Sequence, residues 1–260
     1  MRSSFVALLT DFGTEDGYVG AMKGRLLDLA PHIHVVDISH EIEPYNIRQA
    51  AFCLNNSYKH FPEKTIFVVV VDPGVGTPRK GVIVETSQHI FIGPDNGVFS
   101  FVCRSEGYRA FEIKMDSLGE DIAPTFHGRD VFSRVAAWLA NGRRMTNNVN
   151  PLSQLSTFLK PMQQISDREY RLEIFHVDHF GNLILNLHQD DCLKLEAIAD
   201  PGIRYKKLEL KGVRQTFGDV DEGAFLLTWD SSGFLQVALN KGRAAKKLDA
   251  VVGDAVTLFG

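Results

Sequence analysis

The chain has 260 residues, 44% of them hydrophobic and 23% charged, with a formal net charge of -4. This is the composition of a globular protein long enough to bury a substantial core in one large or two ordinary domains, and its charge gives no global reason to bind nucleic acid or a membrane surface. No apolar stretch approaches the roughly 20 residues that span a bilayer and the N-terminus lacks the basic-then-apolar run of a signal peptide, so the expected compartment is the cytoplasm.

Phe5-Val-Ala-Leu-Leu9 reads as a short strand ending in an acidic turn, Thr10-Asp11-Phe12-Gly13-Thr14-Glu15-Asp16-Gly17. Tyr18, Met22, Leu26, Leu27 and Leu29 then recur at helical spacing until Pro31. Ile33 to Ile38 is a second strand, and Asn46 can cap a helix through Ile47, Ala50, Ala51 and Leu54. Ile66-Phe-Val-Val-Val-Val71 is β-branched and nearly continuous in hydrophobicity, the pattern of a strand buried on both faces. It breaks into Asp72-Pro-Gly-Val-Gly-Thr-Pro-Arg79, whose prolines and glycines demand a tight turn that carries Arg79 back toward Asp72. A structural ion pair is the plain reading of those two charges; a ligand site is the other, because open α/β sheets bind ligands at the carboxyl ends of their strands.

Val82 to Glu85 and His89 to Ile92 are set as a hairpin around Thr86-Ser-Gln. Gly93-Pro-Asp-Asn-Gly97 is a turn opening a short helix from Val98 to Cys103, and Tyr108 to Ile113 adds a strand. Thr125-Phe-His-Gly-Arg-Asp130 precedes a helix marked by Val131, Phe132, Val135, Ala136, Trp138 and Leu139, which places His127 at the positive end of that helix. From Asn141 to Asp167 periodicity fades, and a linker with one short helix is expected. Strands follow at Leu172 to Val177, Leu183 to Leu187, Lys206 to Leu210, Ala224 to Trp229, Phe234 to Leu239 and Ala255 to Phe259.

The predicted fold class is therefore α/β, with an N-terminal, mainly parallel sheet flanked by helices and a C-terminal all-β domain, a small barrel or sandwich. The predicted boundaries are an N-terminal domain over residues 1–145, a linker over 146–168 and a C-terminal domain over 169–260. Cys53, Cys103 and Cys192 are odd in number and widely spaced, which favours free buried thiols over disulfides or a metal site.

Four polar clusters can carry chemistry: Asp11 to Asp16, Asp72 with Arg79, His127 to Asp130, and Asp178-His-Phe-Gly-Asn182. The first three fall at strand ends or a helix start, where one crevice can collect them. Dinucleotide, P-loop and nucleophile-elbow motifs are absent. Asp11, Asp72, His40 and His127 could in principle form a mixed metal site, but no paired ligand motif is present and Arg79 brings an opposing charge, so no metal is expected.

Thr10-Asp-Phe-Gly-Thr14, Val71-Asp-Pro-Gly-Val-Gly-Thr-Pro-Arg79, Gly93-Pro-Asp-Asn-Gly97, Thr125-Phe-His-Gly-Arg-Asp130, Asp178-His-Phe-Gly-Asn-Leu183 and Asn240-Lys-Gly-Arg-Ala-Ala245 resemble the motifs of the S-adenosyl-L-methionine (SAM) hydroxide adenosyltransferases, in the superfamily of the SAM-dependent chlorinases and fluorinases. The motifs run in order through nearly the whole chain. The resemblance implies a hydrolase converting SAM and water to adenosine and L-methionine without a cofactor, and a cytoplasmic homotrimer that holds SAM between one subunit's N-terminal domain and its neighbour's C-terminal domain.

By the same resemblance Asp72, Arg79 and His127 are the catalytic triad that handles the water. Asp11 matches the carboxylate that accepts both ribose hydroxyls, and Tyr45 stands where the halogenases have a tryptophan lining the nucleoside pocket. Phe180 and Asn182 match the adenine side and Asp178 the partner of the methionine ammonium. Ser231 and Ser232 match the methionine carboxylate region, where the fluorinase has a serine and an arginine. Phe126 and Asn240 join the substrate-binding set through their motifs.

The fluorinase has tyrosine, threonine and serine where this chain has Asp72, Val75 and Gly128, and glycine at His127. A carboxylate repels a halide, so Asp72 argues for water. Attack at the 5′ carbon expels a neutral thioether, and the difficulty lies with the nucleophile, which must be aligned and lose a proton. Asp72 is the expected proton acceptor with Arg79 and His127 orienting the water; a proton shared among the three is the other arrangement. A SAM or adenosine sensor without turnover, a halide-using transferase and a metal-dependent phosphohydrolase are the competing functions.

Overall fold

The computed structural model describes residues 4–260 apart from 145, 161, 194, 196, 197 and 199. The chain divides into two units, Met1–Leu159 and Lys160–Gly260. In chain order the first unit contains β1 (Phe5–Thr10), α1 (Tyr18–Leu29), β2 (His34–Ser39), α2 (Ile47–Tyr58), β3 (Ile66–Val70), β4 (Gly81–Glu85), β5 (Ile90–Pro94), α3 (Ser100–Ser105), β6 (Arg109–Ile113), α4 (Ser133–Ala140) and β7 (Val149–Leu152).

Side-chain alternation builds this unit in three layers. Val6 and Leu8 of β1, with Ile66, Val68 and Val70 around β3, pack into one core with Met22 and Leu26 of α1 and Val135 of α4. Ala7, Leu9, Phe67, Val69 and Val71 face the other way, onto Ala50, Leu54 and Tyr58 of α2 and Val102 of α3. Burial on both faces is what a period of two requires of a strand apolar at every position. Asn46 caps α2 as expected, its Oδ1 accepting the Gln49 N–H at 3.0 Å.

The strand order is β2-β1-β3-β5-β4-β6-β7. The sheet is mixed. β2, β1, β3 and β5 run parallel, whereas β4 pairs antiparallel with β5 and β6, and β6 with β7. The Thr86-Ser-Gln connection is too short for a crossover, so the chain must reverse there. From β1 the chain leaves toward β2, and from β3 it leaves in the opposite direction, which makes the carboxyl ends of β1 and β3 the switch point of the sheet.

The second unit contains β8 (Gln163–Ser166), β9 (Glu169–Val177), β10 (Leu183–His188), α5 (Gln189–Cys192), β11 (Gly202–Tyr205), β12 (Leu208–Lys211), β13 (Phe225–Trp229), β14 (Phe234–Leu239), α6 (Ala244–Leu248) and β15 (Ala255–Phe259). Its strands follow the order β12-β11-β15-β9-β10-β14-β13, with β8 also paired to β9. The ladders are antiparallel, and β12 lies against β13, so the sheet nearly closes on itself around Leu172, Ile174, Leu185, Leu227 and Val237.

Three expectations shift. The stretch expected as a linker carries β7, which pairs with β6, and β8, which pairs with β9; no helix occurs among its described residues, and Pro161 lies outside them. The strand expected from Lys206 begins later, because Lys206 takes φ 53° in the turn joining β11 to β12. The helix expected to run straight on from His127 opens as a π-helical turn, Gly128–Phe132, before α4. No helix among the described residues is long and apolar enough to cross a membrane.

Candidate active site

Asp11 follows β1 and Asp72 follows β3, so the two carboxylates leave the sheet on either side of the switch point. Both line one cavity of about 330 Å³, together with Phe12, Tyr18, Tyr45, Val75, Phe126 and His127. Asp72 extends the Ile66, Val68, Val70 face by one more alternation, toward the side that carries α1 and α4.

Arg79 returns to Asp72 as a bidentate fork. Its Nε donates to Asp72 Oδ1 at 2.9 Å and its Nη2 donates to Oδ2. Nη2 also stands 2.9 Å from His127 Nδ1. A guanidinium has only donors, so Nδ1 must accept, and His127 is the neutral tautomer with its proton on Nε2. Burial pushes the His127 pKa below the ordinary histidine value and the Arg79 charge pushes it the same way, against Asp72 and Asp130. The side chains of Arg79 and Asp72 are 11% and 5% exposed. Arg79 is not one of the cavity's lining residues; it holds the two that are.

The π-helical turn explains where His127 sits. Such turns widen a helix and are found at functional sites. Here Phe132 ends the turn beneath the guanidinium of Arg79, 5.4 Å from ring centroid to Cζ, and Asp130 Oδ2 accepts the Ala123 N–H at 2.9 Å, tying down the segment that carries Phe126.

Asp11 Oδ2 accepts the backbone N–H of Tyr45 at 2.8 Å. Desolvation raises its pKa, and so does the nearby Asp72, while hydrogen bonds from the Tyr45 and Asp11 backbone oppose the shift. Tyr45 itself takes φ 69°, and its side chain is left outside the core with the residue 70% exposed. A bulky residue held in the left-handed region is a costly arrangement that points to use. Phe12, Tyr18 and Phe126 form a mutual edge-to-face trio with centroids 5.5 to 6.0 Å apart. The sequence reading missed Phe12 and Tyr18. Their signal lies in position, since one follows Asp11 and the other opens α1.

In the second unit, Asp178 and Asn182 close the β9–β10 hairpin. Asp178 accepts the Asn182 backbone N–H and its Nδ2, each at 2.8 Å. Phe180, at the turn, is 72% exposed. Gly181 has φ 83°, and a Cβ there would meet Arg243 at 2.9 Å, so the hairpin turn sits directly on the Asn240 to Ala245 motif. Asn240 Nδ2 donates to Val220 O at 2.8 Å, a bond that shapes a turn of its own unit. Ser231 and Ser232 lie between β13 and β14, where Asp230 Oδ1 accepts the N–H groups of Ser232 and Phe234 at 2.8 Å.

The four residues weighed as a metal site are not assembled as one. His40 is engaged instead with Thr10, 2.8 Å from Nδ1, and with Asp37, 3.0 Å from Nε2. Among the described residues no group of three or more His, Cys, Asp or Glu side chains is placed to hold a metal.

Residues 6–149 match the N-terminal domain, and residues 172–257 the C-terminal domain, of the SAM hydroxide adenosyltransferases. An (R)-S-adenosyl-L-methionine hydrolase of Methanocaldococcus jannaschii is 34% identical, over 98% of this chain and 95% of its own. A fluorinase of Actinoplanes is 27% identical over 97% and 96%. The crystal structure of a conserved protein from Thermotoga maritima superposes with a TM-score of 0.85 at 35% identity, over 98% of this chain and all of that one. Two domain matches that between them span most of the sequence leave one assignment: this chain belongs to the SAM hydroxide adenosyltransferase family, which is related to the fluorinases.

Proposed function

We propose that this protein hydrolyses (R)-S-adenosyl-L-methionine to adenosine and L-methionine by in-line attack of water at the ribose 5′ carbon. The observation that carries the reading is the Asp72–Arg79–His127 chain at the wall of a cavity that also holds Asp11. A carboxylate beside a neutral Nε2–H donor can take a proton from water while the imidazole grips the oxygen. Nδ1 is occupied by Arg79, so His127 acts as donor and Asp72 as base. Each Asp72 oxygen keeps a second lone pair beyond the Arg79 fork. Arg79 works through these two residues.

Asp11 accepts the ribose hydroxyls, with Tyr45, Phe12, Tyr18 and Phe126 walling the nucleoside. In the homotrimer that the family resemblance implies, the C-terminal unit of a neighbouring copy supplies the other half of the site, with its exposed Phe180 ring for adenine. Asn182 retains its Oδ1 for a base edge, since its Nδ2 is held by Asp178. Asp178 receives the methionine ammonium, and the Ser231–Ser232 turn receives the carboxylate through hydroxyl and backbone groups. We place the chain in a homotrimer, a state light scattering measures, and in the cytoplasm, where its free thiols stay reduced.

The test is adenosine release, followed by chromatography, from purified (R)- and (S)-SAM in the presence of a chelator. Adenosine and methionine in equal amounts from the (R) epimer support the reading. Tight binding with SAM recovered intact would make the protein a sensor, and chloride-dependent chloro-deoxyadenosine would make it a halide transferase.

A further inference from the structure

The turn Gly93-Pro94-Asp95-Asn96-Gly97 has no part in the site as described, and its residues are not among those lining the cavity. It nevertheless holds both ends of the loop that carries Asp72 and Arg79. Asn96 Nδ2 donates to Val71 O at 2.8 Å, one residue before Asp72. The Asp95 backbone N–H donates to Lys80 O at 2.9 Å, one residue after Arg79.

Val71 is fully buried and lies one residue past the end of β3, so its carbonyl depends on Asn96 for a partner. That bond fixes the plane of the Val71–Asp72 peptide and with it the direction in which the Asp72 side chain leaves the sheet. The donor is itself anchored: Asn96 Oδ1 accepts the Val98 N–H at 3.2 Å, and Asp95 Oδ1 accepts the Ser156 N–H at 2.8 Å. Gly93 makes the approach possible, because a Cβ there would lie 2.3 Å from Val69 O. Within the loop Thr77 Oγ1 donates to Gly74 O at 2.6 Å, so the segment between the two grips is a preformed unit.

We propose that Asn96 is a positioning residue for hydrolysis: its amide sets the angle at which Asp72 meets Arg79 and the water, without touching substrate. The inference rests on the proposed hydrolysis. Misplacing a reacting group by about 1 Å costs on the order of 100-fold in rate.

Asn96→Asp, which puts an acceptor against the Val71 carbonyl, and Asn96→Ser, which keeps a shorter donor, separate positioning from folding. Both are assayed for kcat and KM with (R)-SAM, for adenosine binding by calorimetry and for melting temperature. The expected result is a kcat loss of about 100-fold for Asn96→Asp and an intermediate loss for Asn96→Ser, with KM and adenosine binding within about threefold of the parent. Parent kcat in either folded variant overturns the proposal. So does a loss of kcat in proportion to adenosine binding and melting temperature, which makes Asn96 a structural residue. If Asn96→Asp does not fold, Asn96→Ser decides alone by the same criterion. An unmodified protein that releases no adenosine overturns the hydrolytic reading itself.

Discussion

The Nη2 nitrogen of Arg79 serves two acceptors at once, Asp72 Oδ2 and His127 Nδ1, the latter at 2.9 Å. Two side chains that sequence separates by 55 positions are thereby fixed to one rigid fork, and the imidazole is left with a single donor to offer.

The pH dependence follows from that fork. The folded pKa of His127 is depressed, first by burial and then by Arg79, so its neutral form contributes stability, and under the proposed mechanism activity, above the ordinary value of about 6.5. Both are lost as pH falls through the lower, folded value. Activity should hold from neutrality to below about 6.5 before declining. In Arg79→Gln the depressing charge is gone and the acid limb should move upward in kcat/KM measured against pH, with burial still acting on the imidazole.

Removing the proposed base, Asp72, should separate chemistry from binding. Asp72→Asn is expected to lower kcat by roughly 10²- to 10⁴-fold, with adenosine affinity within a few-fold of the parent by calorimetry. Joint loss of kcat and adenosine affinity would instead give Asp72 a folding role.

Asp11 should trade stability for binding. Its raised pKa, caused first by desolvation, means that its ionised form weakens the fold above that pKa, a penalty relieved as pH falls through it. Asp11→Asn keeps an oxygen for the Tyr45 N–H but carries no charge. It should melt no lower than the parent at neutral pH, while KM for SAM rises 10-fold or more, on the order of one lost charge-assisted hydrogen bond.

Tyr45 should show the same trade through the backbone. With φ at 69° the position suits glycine better than tyrosine, so Tyr45→Gly should be neutral to stabilising by up to about 1 kcal/mol in denaturant unfolding. The loss of a ring from the cavity wall should raise KM for SAM. A destabilised variant with parent KM contradicts the assigned role.

Much of this was legible in the sequence where one local rule sufficed. The two-faced hydrophobicity of β3, the Asn46 cap and the carboxylates at the ends of β1 and β3 each follow from a period or a propensity that neighbours do not override. The β4–β5 hairpin was legible from its short connection, but the rest of the antiparallel half needed pairings no window reveals: β7 holds Pro151 and polar Asn150, and forms a strand because β6 offers it a ladder. The π-helical turn after His127 was hidden for a similar reason, since a helix-forming run such as Gly128 to Leu139 gives no sign of one wider turn. Asn96 was visible only as a turn residue, and its bond to Val71 joins positions that no spacing rule connects.

The central claim is attack by water at the 5′ carbon, assisted by Asp72. Turnover of (R)-SAM in ¹⁸O-enriched water, with mass spectrometry of the products, measures it directly. The account predicts one ¹⁸O in the 5′-hydroxyl of adenosine and none in methionine. Adenosine without label, or labelled product at parent rate from Asp72→Asn, would contradict it.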